Sequence, residues 1–222
     1  MPRMNRISLT FLVSILCGTF FAQTDFYFQE PQPAGVEEKT EIIGEIVGEY
    51  SLEDDKNIRV MVTRDSVFAS YPVLMYQAVA EIEAEGKYEI KDDKIYGVHS
   101  KQGLPVKIIN DTAVFIHTAH ELIFAPGKSG VMKTYNGVYY FNYKNENGMY
   151  STMALSVRGE NLYLHSLDHS VVMTQIREFT DFEEKKIDGV TTYTASPSKD
   201  EMIAFYEDKG FKDKIKYIRK PE

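Results

Sequence analysis

Val138-Tyr139-Tyr140-Phe141-Asn142-Tyr143, then Lys144-Asn145-Glu146-Asn147-Gly148, then Met149-Tyr150-Ser151-Thr152-Met153-Ala154-Leu155-Ser156-Val157 is the stretch on which the fold turns. Two runs rich in β-branched and aromatic residues flank five polar ones, the pattern of an antiparallel hairpin. At period 2, Tyr139, Phe141 and Tyr143 share one face, and Val138 and Tyr140 share the other. Large apolar side chains on both faces predict cover on both. That suits a barrel or a sandwich better than one open sheet with a wet side.

The same reading extends outward in both directions. Arg59–Val62 and Val67–Ala69 flank Arg64-Asp65; Tyr88–Ile90 and Ile95-Tyr96 flank Asp92-Asp93. Val106–Ile108 and Val114–Ile116 flank Asn110-Asp111, and Met153–Val157 and Leu162–Leu164 flank Gly159-Glu160-Asn161. Asn, Asp and Gly tolerate positive φ and suit such tight turns. The expected fold class is therefore mainly β, an antiparallel meander forming a barrel or sandwich. Val79–Ala84 is compatible with either strand or short helix. One helix is expected near 198–209, with Ser196 as cap and Pro197 in the first turn or, alternatively, Ser198-Lys199-Asp200-Glu201 as a capping box, Met202, Phe205 and Tyr206 on one face, and Gly210 as a stop. Lys214–Arg219 reads as a closing edge strand blunted by its cations.

Gly48-Glu49-Tyr50 and Gly137-Val138-Tyr139 each open a strand, and Leu155–Leu164 is a compact hairpin. Together they loosely resemble lipocalin-type meanders, which open with Gly-x-Trp; the tryptophan is absent here. The resemblance covers about a third of the chain and carries no functional residues with it.

At the N-terminus, Arg3 and Arg6 precede an uncharged apolar run from Ile7 to Phe21, after which polarity returns at Gln23-Thr24-Asp25. A basic start, ~7–15 apolar residues and a small-residue exit describe a secretory signal peptide. The expected organisation is a cleaved signal over 1–23, an extended lead-in over 24–40 containing Pro31 and Pro33, and a single β-rich domain over 41–222. Cys17 offers an alternative, a lipid anchor, although bulky Ile15 and Leu16 precede it. If Cys17 leaves with the signal, the remaining chain has no cysteine, hence no disulfide or thiol nucleophile. Arg3 and Arg6 leave with it too, which takes the net charge from −8 to −10. That balance disfavours nucleic acid and anionic membrane surfaces. No later stretch has the ~18 uncharged apolar residues of a membrane-spanning helix.

Motifs with chemistry are few. His117-Thr118-Ala119-His120-Glu121 has metal-ligating residue types, but the spacing differs from His-Glu-x-x-His, and positions i and i+3 on a strand point to opposite faces. His165-Ser166-Leu167-Asp168-His169 combines imidazoles, a hydroxyl and an acid without a surrounding Gly-x-Ser-x-Gly. If the clusters converged, His117, His120, His165 and His169 could bind zinc. Glu53-Asp54-Asp55 and Asp92-Asp93 lack the spacing of a calcium loop. Ala125-Pro126-Gly127-Lys128-Ser129-Gly130 ends like a phosphate loop, but its first glycine is replaced by Ile123. Fifteen Tyr and thirteen Phe with no Trp leave the aromatic strands as the remaining signal, with Tyr139, Phe141, Tyr143 and Tyr163 as candidate ligand-binding residues.

The leading expectation is a secreted or periplasmic, non-catalytic binding or interaction protein with no cofactor, whose partner is a small apolar ligand or an envelope protein. The alternative is a metal-dependent or other hydrolase built on the two histidine clusters. N-terminal sequencing of the exported protein is expected to start at Gln23 or Thr24; a product that still begins at Met1 contradicts the signal.

Overall fold

The computed structural model describes residues 25–97, 102–166, 174–187, 190–208 and 215–221. The signal segment, Cys17, Asp168, His169 and the expected helix stop at Gly210 lie outside them. The chain opens with strand β1 (Asp25–Phe28), the two-residue β2 (Glu38–Lys39), β3 (Gly48–Leu52) and β4 (Arg59–Val62). The long β5 (Val67–Ala78) runs into helix α1 (Val79–Glu85), followed by the short β6 (Glu89–Lys91) and β7 (Lys94–Tyr96). Next come β8 (Leu104–Ile109), the equally long β9 (Thr112–Phe124), β10 (Val131–Tyr135), β11 (Val138–Lys144), β12 (Tyr150–Arg158) and β13 (Asn161–Ser166). The C-terminal part adds β14 (Phe182–Ile187), β15 (Val190–Ala195), helix α2 (Lys199–Asp208) and β16 (Ile215–Arg219).

The protein is mainly β and its pairing is antiparallel, except that β1 runs parallel to β15 from Asp25↔Thr192 to Phe28↔Ala195. Each hairpin expected from the sequence is present, at β4–β5, β6–β7, β8–β9, β11–β12 and β12–β13. Their turns explain why. Asp92, Asp93, Asn110 and Asp111 all take positive φ, between 48° and 59°, as two-residue turns matching the twist of the strands require. Asn136-Gly137 makes a further such turn between β10 and β11.

Around one core the strands run β10–β11–β12–β13–β16–β3–β4–β5–β9, a sheet that curls without closing into a barrel. The seam lies between β9 and β10–β11. Side chains close it where backbone pairing does not: Phe124 stacks on Phe141 with ring centroids 4.5 Å apart, and Tyr143 Oη donates to Ile123 C=O at 2.8 Å. β16 is an internal strand between β13 and β3, which corrects its reading as an edge. Its cations have partners: Lys216 Nζ lies 2.6 Å from Glu53, and Arg219 donates to Val47 C=O at 3.0 Å and to Tyr50 Oη at 2.6 Å.

β11 is buried from Val138 through Asn142, and its two faces serve two cores. Tyr139 and Phe141 point inward with Tyr50, Phe124, Leu155 and Leu162. Val138 and Tyr140 point outward into a second cluster with Phe26 and Phe28 of β1, Ala154, and Met202 and Phe205 of α2. The lead-in is thus partly regular, because Phe26 and Phe28 dock as a strand. α2 starts as the capping box predicts, with Glu201 N–H donating to Ser198 Oγ at 3.3 Å and Ser198 N–H donating to the Glu201 carboxylate at 2.7 Å. A third, smaller cluster of Ile82, Ile95, Val106, Ala113 and Phe115 sits at the far end of the β5–β9 pair.

Asn142 extends the outward row of β11 and fastens the chain around Gln32 to it. Its Oδ1 accepts from Gln32 N–H at 2.8 Å and Thr152 Oγ1 at 2.7 Å, while Nδ2 donates to Gln32 C=O at 2.9 Å. All three residues are buried. Asn142→Ala orphans these groups, so the free energy of unfolding is expected to fall by about 2–4 kcal/mol, measured as a lower urea midpoint with unchanged slope. A loss under about 0.5 kcal/mol contradicts the role given to the node.

Candidate functional site

The inner face of the curled sheet is filled by side chains. Tyr139 and Phe141 are buried in that packing, and Tyr143 is half-buried against Phe124. The Tyr139 hydroxyl donates to Ile43 C=O and the Tyr143 hydroxyl to Ile123 C=O, so the polar tips are taken up by backbone. Tyr163 lies opposite Ser156 and Lys216, on the outward face, while its neighbours Leu162 and Leu164 pack inward. The four aromatic candidates therefore divide between the two sides of the sheet.

The histidines separate as well. His117 pairs with Val73 and His120 with Ser70, on opposite faces of β9 as strand alternation demands. Ser70 Oγ and His120 Nδ1 are 2.8 Å apart. His165 is buried on β13, its ring 6.5 Å from that of Tyr206. Among the described residues no three His, Cys, Asp or Glu side chains gather closely enough to hold a metal ion.

Two surface clefts hold polar chemistry. One of about 410 Å³ is lined by Lys39, Lys128 and Lys144, with Glu38, Ser129 and Tyr150. It contains the Gly127–Gly130 turn, whose sequence approximates a phosphate loop. The Gly127, Lys128 and Ser129 N–H groups donate within the turn, to Gly130 C=O and Ala125 C=O, and so do not point to a ligand. The other cleft, of about 310 Å³, holds Arg177 between the rings of Phe182 and Tyr193, at 5.1 and 5.0 Å.

Lys133 of β10 is a buried cation that sequence reasoning missed, since Val-Met-Lys-Thr-Tyr reads as an ordinary amphipathic strand. Its Nζ donates to Pro31 C=O at 2.7 Å and Pro33 C=O at 2.9 Å, holding the proline segment beside the Asn142 node. Burial pushes its ammonium below the ordinary lysine range, partly opposed by the charges of Glu30 and Glu38.

The outward face of β5 and β9 is the other feature that local sequence did not reveal. Outward positions on β5 are Phe68, Ser70, Pro72, Leu74, Tyr76 and Ala78; on β9 they are Leu122, His120, Thr118, Ile116, Val114 and Thr112. None is charged, and Leu74, Tyr76, Ile116 and Leu122 are exposed. On the opposite face, Tyr71 Oη donates to Glu121 at 2.9 Å, and Met75 and Phe115 pack in the third cluster. Strands β4 and β8 cover only the two ends of the pair. From Tyr71 to Leu74 the partner is β9 alone.

No protein-family model, curated protein or solved structure matches the chain.

The shift at Lys133 has a pH signature. Between its lowered folded value and its ordinary value, the folded state carries the neutral amine while the unfolded chain still binds the proton. The unfolded state then binds more protons, so stability rises with pH across that window. Relative to Lys133→Met, the wild type is expected to gain stability as pH climbs from neutrality toward the ordinary lysine range, read from urea midpoints. A flat difference contradicts the burial of this cation.

Proposed function

We propose that this chain is a non-catalytic binding or interaction protein of the extracytoplasmic space, secreted or periplasmic, that meets its partner through the outward face of β5 and β9. The apolar run at the N-terminus supports export, and Cys17 leaves lipid anchoring as the second route to the envelope. The observation that carries the reading is the uncharged, apolar outward face on a sheet whose other side is already packed. In an antiparallel sheet with one wet side, outward positions are polar. Leu74, Tyr76 and Ile116 break that rule side by side, on a chain with 26% charged residues. A packed inner face favours contact with a macromolecule over storage of a small apolar ligand in a calyx. The lipocalin-like reading rests on Gly48-Glu49-Tyr50, Gly137-Val138-Tyr139 and the Leu155–Leu164 hairpin, and it concerns strand arrangement only.

A photo-crosslinking residue at position 74, introduced in the producing cell, is expected to trap a protein adduct. Ile116→Lys, opposite it, is expected to abolish that adduct. Native mass spectrometry of the wild type is expected to show no tightly held small ligand. An absent adduct, or one that Ile116→Lys leaves untouched, defeats the reading.

A further inference from the structure

The outward face has a size, a shape and a charge that together specify its occupant. Met61 is 45% exposed, Leu74 50%, Tyr76 66%, Ile109 46%, Ile116 58% and Leu122 46%. They share one side, because Met61 pairs with Phe68, Phe68 with Leu122, Leu74 with Ile116, and Ile109 with Thr112. Their exposed surface is on the order of 600 Å², at the top of the range for a single patch on a monomer. Phe68, Pro72 and Val114 between them bring the face close to the ~800 Å² that each partner gives to a standard interface. From Phe68 to Tyr76 it runs roughly 27 Å along the strands, and none of its residues lines either of the two clefts.

Charge narrows the choice. The chain carries a net charge of −8, so two copies repel over most of their surfaces. The twelve outward positions of β5 and β9 hold no charged residue, and two copies meeting there bring no like charges together. Ser70 Oγ and His120 Nδ1 satisfy each other across the strands, so of this pair only His120 Nε2 needs a partner or a rim water once covered. Arg59 and Lys107 stand at the margins, beside Ser70 and Val114, and Glu49 stands beside Met61 with its carboxylate 3.3 Å from Arg59, where a rim stays wet. An anionic bilayer gains little from a neutral face on an acidic protein.

We propose that this face is covered by a second copy of the chain, the two β5–β9 ribbons stacking face to face about a two-fold axis. A self-complementary apolar face is what such an isologous contact uses, and packed sheets lie ~10 Å apart. The proposal rests on the outward face being the contact surface and names its occupant.

Sedimentation of the wild-type chain over a concentration series is expected to show a dimer. Leu74→Glu and Ile116→Glu are each expected to weaken it by roughly 100-fold or more. Both positions are exposed, so circular dichroism is expected to match the wild type, and melting temperature to match it at concentrations where the wild type is monomeric and to fall below it where the wild type is dimeric. A wild type that stays monomeric at every concentration overturns the proposal. If the crosslinker at position 74 then traps a foreign protein, the contact surface stands and only its occupant is wrong. A dimer that both glutamates leave intact uses another surface, and defeats the proposal together with the reading beneath it.

Discussion

Burial of β11 on both of its faces is the constraint around which the other elements are arranged. A strand with Tyr139 and Phe141 on one side and Val138 and Tyr140 on the other needs two layers of cover. The curled sheet supplies the first. The second comes from distant parts of the chain: β1 near the beginning, and β15 and α2 near the end. Burying each large aromatic side chain stabilises by about 1.5–3 kcal/mol relative to exposure, which offsets part of the cost of ordering these separate segments. Asn142 and Lys133 then fix which segment lies there. Their hydrogen bonds go to Gln32, Pro31 and Pro33 and leave little freedom in how the chain enters the sheet.

The local parts of this arrangement were legible in the sequence. Asp92-Asp93 and Asn110-Asp111 announce their turns because few other residues accept positive φ there. The capping box at Ser198 and Glu201 is equally local. Asn136-Gly137 carries the same turn signal, although Gly137-Val138-Tyr139 also reads as a strand opening. What was not legible depends on partners far away in sequence. The parallel β1–β15 pairing joins the two ends of the chain, and no periodicity reports it. Lys214–Arg219 looked like an edge because cations commonly blunt edges, whereas Lys216 and Arg219 are matched to Glu53 and the 45–50 segment.

The candidate site shows the same division. Alternating Tyr139, Phe141 and Tyr143 correctly indicate one face, but whether that face lines a cavity or fills a core depends on what lies opposite, here Phe124 and Tyr50. In β5, Val73-Leu74-Met75-Tyr76 is apolar at every position, which is the pattern of a strand buried on both sides. The fold covers Met75 and leaves Leu74 and Tyr76 outside. The mismatch between a two-sided apolar strand and one-sided cover is visible only once the neighbours are in place.

The stretch where β5 and β9 have only each other also bears on how the molecule comes apart. From Tyr71 to Leu74 and Ile116 to Ala119, neither strand has a second neighbour, and the packed clusters lie beyond either end. Two-stranded ribbons on their own are marginal in water. The terminal lobe around Ile82 and Phe115 is therefore tethered through an isthmus, and cooperativity between the lobe and the body has to pass through a handful of backbone pairs. Such a neck is a natural boundary between separately opening units, with its amides exposed to solvent exchange well before those of β11.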